Sequence, residues 1–201
     1  MKNVLLISGF LGSGKTTFII KLIKYLSDKN IKTALTVNEA GEIGVDNQYM
    51  KQLGYDVWEL FGGCICCSLS SNLKSTINEL STTYDPEIII IEPSGVAEPD
   101  MVYESLLATG ISEKNIYNFL ILDPTRIQMF IEVLSPLLNS SLNLCNAVIM
   151  NKIDVAHIDE IKECENIISN MNLLLFKENF KHDLTDKLVR HINFIVDGEV
   201  I

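Results

Sequence analysis

Two unbroken apolar runs, Ile88-Ile89-Ile90-Ile91 and Phe119-Leu120-Ile121-Leu122, constrain the fold more than any other feature of this chain. A strand with one face in water alternates apolar and polar residues. A strand that is apolar at every position must be covered on both faces, and helices cover both faces of a parallel sheet. Further short runs of this kind recur along the chain. The expected strands are Asn3–Ile7, Thr33–Val37, Asp56–Leu60, Glu87–Ile91, Tyr117–Leu122, Ala147–Met150 and Leu173–Phe176, with a last candidate at Asn193–Val196. Helical patterns fall between them, near residues 15–28, 69–83, 99–109, 125–138, 156–170 and 183–191. This alternation predicts an α/β fold, a doubly wound and mostly parallel sheet flanked by helices. Residues 1–201 are expected to form one domain, with no repeat, low-complexity tract or linker. In such a sheet the chemistry gathers at the carboxyl ends of the strands.

The first expected strand runs into Gly9-Phe10-Leu11-Gly12-Ser13-Gly14-Lys15-Thr16-Thr17. This matches G-x-x-x-x-G-K-[ST] at every fixed position, between a strand and a helix, the setting that a phosphate-binding loop needs. Glycines let successive backbone N–H groups converge on phosphate oxygens, and the helix N-terminus adds positive potential. Gly9, Gly12, Ser13, Gly14, Lys15, Thr16 and Thr17 are therefore the candidate phosphate-binding residues. Lys15 is placed to reach the β- and γ-phosphates, and the Thr16 hydroxyl to ligate Mg²⁺.

Two later strand ends carry polar residues of matching kind. Ile88–Ile91 is followed by Glu92-Pro93-Ser94-Gly95. A carboxylate there is placed to reach Mg²⁺ or an attacking water, and Gly95 permits close backbone approach to a γ-phosphate. Lys15, Glu92 and Gly95 are the catalytic candidates. Ala147–Met150 is followed by Asn151-Lys152-Ile153-Asp154. Guanine presents two donors, N1–H and its amine; one carboxylate accepts both, whereas adenine would leave it unpaired. Asn151, Lys152 and Asp154 are the candidate base readers, which makes GTP or GDP the expected nucleotide. No arginine stands in the phosphate loop or its immediate flanks. Intrinsic hydrolysis is accordingly expected to be slow.

Between the nucleotide motifs lies Gly62-Gly63-Cys64-Ile65-Cys66-Cys67. Closely spaced thiolates suit a soft or borderline ion such as Zn²⁺ or Co²⁺. Cys64, Cys66 and Cys67 supply three thiols, and His157, His182 and His191 are all far downstream. Glu39 and Glu42, in Asn38–Asp46, are candidates to complete the shell. A thiol switch and small buried apolar cysteines are the competing readings. Cys145 and Cys164 receive no role.

Together these stretches resemble the CobW-type GTPases, relatives of the nickel-insertion GTPases of urease and hydrogenase. The resemblance rests on Gly9–Thr17, Asn38–Asp46, Gly62–Ser68, Glu92–Pro99 and Asn151–Asp154, and spans roughly residues 1–155. It implies a P-loop NTPase that couples GTP hydrolysis to metal delivery or to maturation of a metal- or cobalamin-dependent client enzyme. It also implies that Glu39 and Glu42 lie in a switch segment and that Cys64, Cys66 and Cys67 bind metal. The family usually has phenylalanine where Ala40 stands and threonine where Pro93 stands. Many members carry a second C-terminal domain and a histidine-rich stretch, and neither is expected here. The alternatives are a GTP-gated activator of a corrinoid enzyme without metal transfer, a small-molecule kinase, and a nucleotide-dependent interaction module. A homodimer is a candidate assembly. The net charge of −10 and a pI of about 4.7 disfavour nucleic acid and anionic membrane as partners. No apolar run reaches the ~18 residues of a membrane helix, and no export signal opens the chain, so a cytoplasmic location is expected.

Overall fold

A computed structural model describes residues 3–37, 57–59, 69–93 and 99–197. Its centre is a seven-stranded sheet in the order β3-β2-β4-β1-β5-β6-β7. The strands are β1 (Asn3–Gly9), β2 (Thr33–Val37), β3 (Val57–Glu59), β4 (Ile88–Glu92), β5 (Ile116–Leu122), β6 (Ala147–Met150) and β7 (Leu174–Lys177). Every pairing among them is parallel. The helices are α1 (Lys15–Asp28), α2 (Leu69–Glu79), α3 (Pro99–Ala108), α4 (Ile127–Glu132), α5 (Ser135–Leu144), α6 (Ile158–Asn170) and α7 (Asp186–Asp197). The continuous apolar runs lie in β4 and β5, buried at every position.

Alternation of side chains along each strand splits the core into two faces. Leu5, Ile7, Leu35, Ile88, Ile90, Phe119, Ile121 and Ile149 pack under α1 and α7. On the other face, Val4, Leu6, Ile89 and Ile91 meet α2 and α3, and Leu120, Leu122, Val148 and Met150 meet α4, α5 and α6. Helix α1 buries Phe18, Ile19, Leu22, Ile23 and Leu26. Burying five large apolar side chains at about 1.5–3 kcal/mol each fixes this helix, and with it the loop at its N-terminus, to the sheet. Among the described residues, no helix is long and apolar enough to cross a membrane.

Two expectations need correction. Asn193–Val196 is not a strand; it is the last part of α7. Leu188, Ile192 and Ile195 are buried at helical spacing, and burial of that stripe outweighs the β-branched character of Ile195 and Val196. The Asn193 carboxamide oxygen accepts hydrogen bonds from Tyr25 Oη at 2.6 Å and Lys29 Nζ at 2.8 Å, which ties α7 to α1. The single helix expected over 125–138 is instead a 3₁₀ turn at Pro124–Arg126 followed by α4 and α5. Pro136 causes the break. It has no N–H for the turn before it, and it sits in the first turn of α5, where none is needed.

Candidate functional site

Because the strands are parallel and β1 lies between β4 and β5, their carboxyl ends line one edge. Gly9 ends β1 and Glu92 ends β4. Asp123, Asn151 and Glu178 directly follow β5, β6 and β7.

The phosphate loop connects β1 to α1 and takes left-handed backbone at Gly12 (φ 76°) and Gly14 (φ 106°). At Gly9 and Gly14, space also excludes a side chain. A Cβ on Gly9 would stand 2.5 Å from the Ile121 carbonyl oxygen, and one on Gly14 2.5 Å from Asn151 Nδ2. Lys15 folds back into the loop, 7% exposed, with Nζ donating to the Phe10 carbonyl at 3.4 Å. Burial lowers its pKa, and the charge of Glu92 partly opposes that shift. Thr16 Oγ1 donates to Glu92 Oε1 at 3.4 Å, which joins two hard oxygen donors of the kind a small divalent cation takes. Ser13 Oγ is buried and has no hydrogen-bond partner among the described residues. Thr17 is exposed on the first turn of α1.

Asn151 and Lys152 bind this loop directly. Asn151 Nδ2 donates to the Ser13 carbonyl at 2.9 Å, and Lys152 Nζ donates to the Gly12 carbonyl at 2.7 Å. Lys152 holds a left-handed backbone at φ 60°, a conformation that costs about 1–2 kcal/mol for a residue with a side chain. Contacts with the loop and with Asp123 offset that strain. Asp154 projects beyond them, and Lys181 Nζ donates to its Oδ2 at 2.7 Å. That hydrogen bond is the main reason the Asp154 pKa is lowered.

Four contributors escaped the sequence reading. Asp123 is 1% exposed and receives Lys152 Nζ at 2.6 Å. Arg126 reaches the phosphate loop, its Nη1 donating to the Leu11 carbonyl at 2.9 Å. The fold therefore brings an arginine to a loop that has none beside it in sequence. The third and fourth, Phe180 and Lys181, come from the turn after β7, past the residues that the family resemblance spans. There the Phe180 N–H donates to Asn151 Oδ1 at 3.2 Å, Phe180 stacks on Phe18, and Lys181 meets Asp154. Glu178 fastens this turn by accepting from the Thr185 N–H at 3.1 Å and from its hydroxyl. Burial raises the Glu178 pKa, and the bonds from Thr185 oppose that shift.

Cys145 and Cys164 are core residues. Burial pushes each thiol up to about 12, so neither is a reactive thiolate. Gly95, Glu39, Glu42, Cys64, Cys66 and Cys67 lie outside the described residues.

Residues 3–175 match the CobW/HypB/UreG nucleotide-binding domain. The chain belongs to this family. Over 108 residues it is 39% identical to the zinc chaperone YeiR of Escherichia coli (strain K12), covering 54% of this chain and 33% of YeiR. It is 25% identical over 214 residues to the zinc-regulated GTPase metalloprotein activator 1 of Dictyostelium discoideum, covering 84% of this chain and 43% of that protein. The chain thus spans less than half the length of these relatives. The hydrogenase maturation factor HypB from Archaeoglobus fulgidus superposes with a TM-score of 0.68 at 14% identity, covering 97% of this chain and 90% of that structure. That likeness establishes the P-loop NTPase fold.

Proposed function

We propose that this domain binds GTP, hydrolyses it slowly with Mg²⁺, and uses the nucleotide state to control a metal ion destined for a client metalloprotein. One observation carries the nucleotide half: Asn151 and Lys152 hydrogen-bond to successive carbonyls of the phosphate loop. A guanine held at Asp154 and phosphates held by residues 9–17 then belong to one rigid frame. The orphaned Ser13 hydroxyl and the glycine cradle, closed to any side chain at Gly9 and Gly14, suit a phosphate group. Thr16 and Glu92 would hold Mg²⁺, which neutralises charge developing on the phosphates. Lys15 holds the phosphates in place. Glu92 would also orient water, and Gly95, three residues on in the sequence, is the candidate γ-phosphate sensor.

For the metal half, support comes from the family and from the names of the relatives, a zinc chaperone and a zinc-regulated activator. Zn²⁺ is therefore the first cargo to test, and Co²⁺ the second. Cys64, Cys66 and Cys67 bind it, and Glu39 or Glu42 completes the shell when the γ-phosphate holds their segment. Hydrolysis withdraws that carboxylate and releases the ion to the client.

Anaerobic Zn²⁺ titration with a non-hydrolysable GTP analogue, with GDP and without nucleotide tests this coupling. Metal affinity should be higher with the analogue, by a factor in the usual allosteric range of about 5 to 150, and Zn²⁺ should change analogue affinity by the same factor. Replacing Cys66 and Cys67 with serine should abolish both effects and spare GDP binding. Equal metal affinity in all three states would eliminate nucleotide-driven delivery. The cysteines would then be a thiol switch or a static site.

A further inference from the structure

We propose that Arg126 is a positioning residue for GTP hydrolysis, which tunes the phosphate loop from its outer side by polarising the Leu11–Gly12 peptide. This rests on the reading above that the domain hydrolyses GTP.

The placement of Arg126 is built into the fold. Asp123 leaves the end of β5 in the core, and its Oδ1 accepts from the Thr125 N–H at 3.1 Å and the Thr125 hydroxyl at 2.7 Å. Those bonds shape the turn Pro124–Arg126 and aim Arg126 across the phosphate loop. Nη1 donates to the Leu11 carbonyl at 2.9 Å. The guanidinium also lies against Gly12, with Nη2 3.6 Å from where a Cβ would stand. The other carboxylate oxygen, Oδ2, receives Lys152 Nζ at 2.6 Å and lies 4.0 Å from Arg126 Nε. One buried carboxylate therefore aligns two cations on two consecutive loop carbonyls, Leu11 and Gly12. Two cations against one carboxylate leave a net positive charge beside the loop.

A cation donating to a peptide carbonyl draws electron density from the amide and strengthens its N–H as a donor. The two polarised peptides differ in what their N–H groups do. The Ser13 N–H, behind the Lys152 contact, donates back to the Phe10 carbonyl at 3.1 Å. The Gly12 N–H, behind the Arg126 contact, has no hydrogen-bond acceptor among the described residues. The peptide that Arg126 polarises thus keeps its donor for the ligand. In phosphoryl transfer, charge builds on the oxygens of the transferred group and the leaving group. A donor strengthened toward those oxygens acts more on the transition state than on bound nucleotide. Arg126 lies on the surface and caps no core, so its effect is separable from folding.

The test compares wild type, Arg126→Met and Arg126→Lys by GTP turnover and by binding of GDP with and without aluminium fluoride, a transition-state mimic. Arg126→Met should lower kcat about tenfold, smaller than the 10²–10³ lost with a direct oxyanion donor. KM for GTP and Kd for GDP should stay within about threefold, while affinity for GDP with aluminium fluoride falls about tenfold. Arg126→Lys should recover part of both losses, because an ammonium can still donate to the Leu11 carbonyl. Unchanged turnover in Arg126→Met overturns the proposal. So does a parallel loss of kcat and GDP affinity, which would make Arg126 a prop for nucleotide binding. A wild-type protein that binds GTP without hydrolysing it removes the GTPase reading first, and this inference with it.

Discussion

Lys15→Ala should lose GTP binding while keeping, or slightly gaining, stability. The two outcomes follow from one observation. Lys15 is buried in the phosphate loop with a protein carbonyl at 3.4 Å as its hydrogen-bond partner, and burial lowers its pKa. A lysine whose folded pKa lies below its unfolded value opposes folding while it is charged, and that penalty fades only as pH rises toward the unfolded pKa. At neutral pH removing the charge therefore relieves that penalty, which offsets the packing lost with the buried aliphatic stem. The side chain serves the ligand. Phosphates offer it about two charge-assisted hydrogen bonds, worth about 1.5–3 kcal/mol each, so affinity should fall on the order of 100-fold or more. Thermal melting with and without nucleotide reads both effects. Wild type should gain about 2.7 kcal/mol at a ligand concentration of 100 Kd, and the folded variant should gain almost nothing at the same concentration. A folded Lys15→Ala protein with unchanged GTP affinity would remove the phosphate-loop assignment.

The sequence made the sheet legible because burial on both faces leaves a run that no other element needs. Ile88–Ile91 and Phe119–Leu122 sit in β4 and β5, and the helices cover both sides. The phosphate loop was legible because its glycines and lysine are local in sequence. Asp123, Arg126, Phe180 and Lys181 were not, because each works through partners that parallel topology brings from far along the chain. Leu11 and Arg126 are 115 positions apart. A usable signal was nonetheless present. Asp123 and Glu178 each directly follow a strand of the parallel sheet, the place where such folds gather their polar chemistry. The misread end of the chain has a different cause. Ile192, Phe194, Ile195 and Val196 satisfy β-propensity locally, whereas Leu188, Ile192 and Ile195 satisfy a helical stripe only when counted from four residues earlier. Tertiary burial against the β1 and β5 face chose the helix.

Asp154→Asn should turn a GTP-preferring protein into one that prefers xanthosine triphosphate. The Asp154 carboxylate stands beside the loop that Asn151 and Lys152 bind to the phosphate loop, with Lys181 Nζ at 2.7 Å. Its lowered pKa means that it remains ionised, and acceptor-only, through the mildly acidic range where an ordinary aspartate begins to protonate. Guanine affinity should therefore hold across that range and weaken only as pH falls through the lowered value. An ionised carboxylate accepts the N1–H and the amine of guanine together. Asparagine has one acceptor and two donors, so it leaves a guanine donor unpaired and instead pairs with the carbonyl that xanthine carries in place of the amine. Leaving one guanine donor unpaired and replacing the other charge-assisted bond with a neutral one should cost GTP on the order of 100-fold in affinity. Lys181 is mostly exposed, so breaking its ion pair should leave the melting temperature of the nucleotide-free protein nearly unchanged. Displacement of a fluorescent GDP by GTP, xanthosine triphosphate and ATP measures the preference of both proteins. A variant that still favours GTP, or a wild type that favours ATP, would rule out Asp154 as the reader of the base.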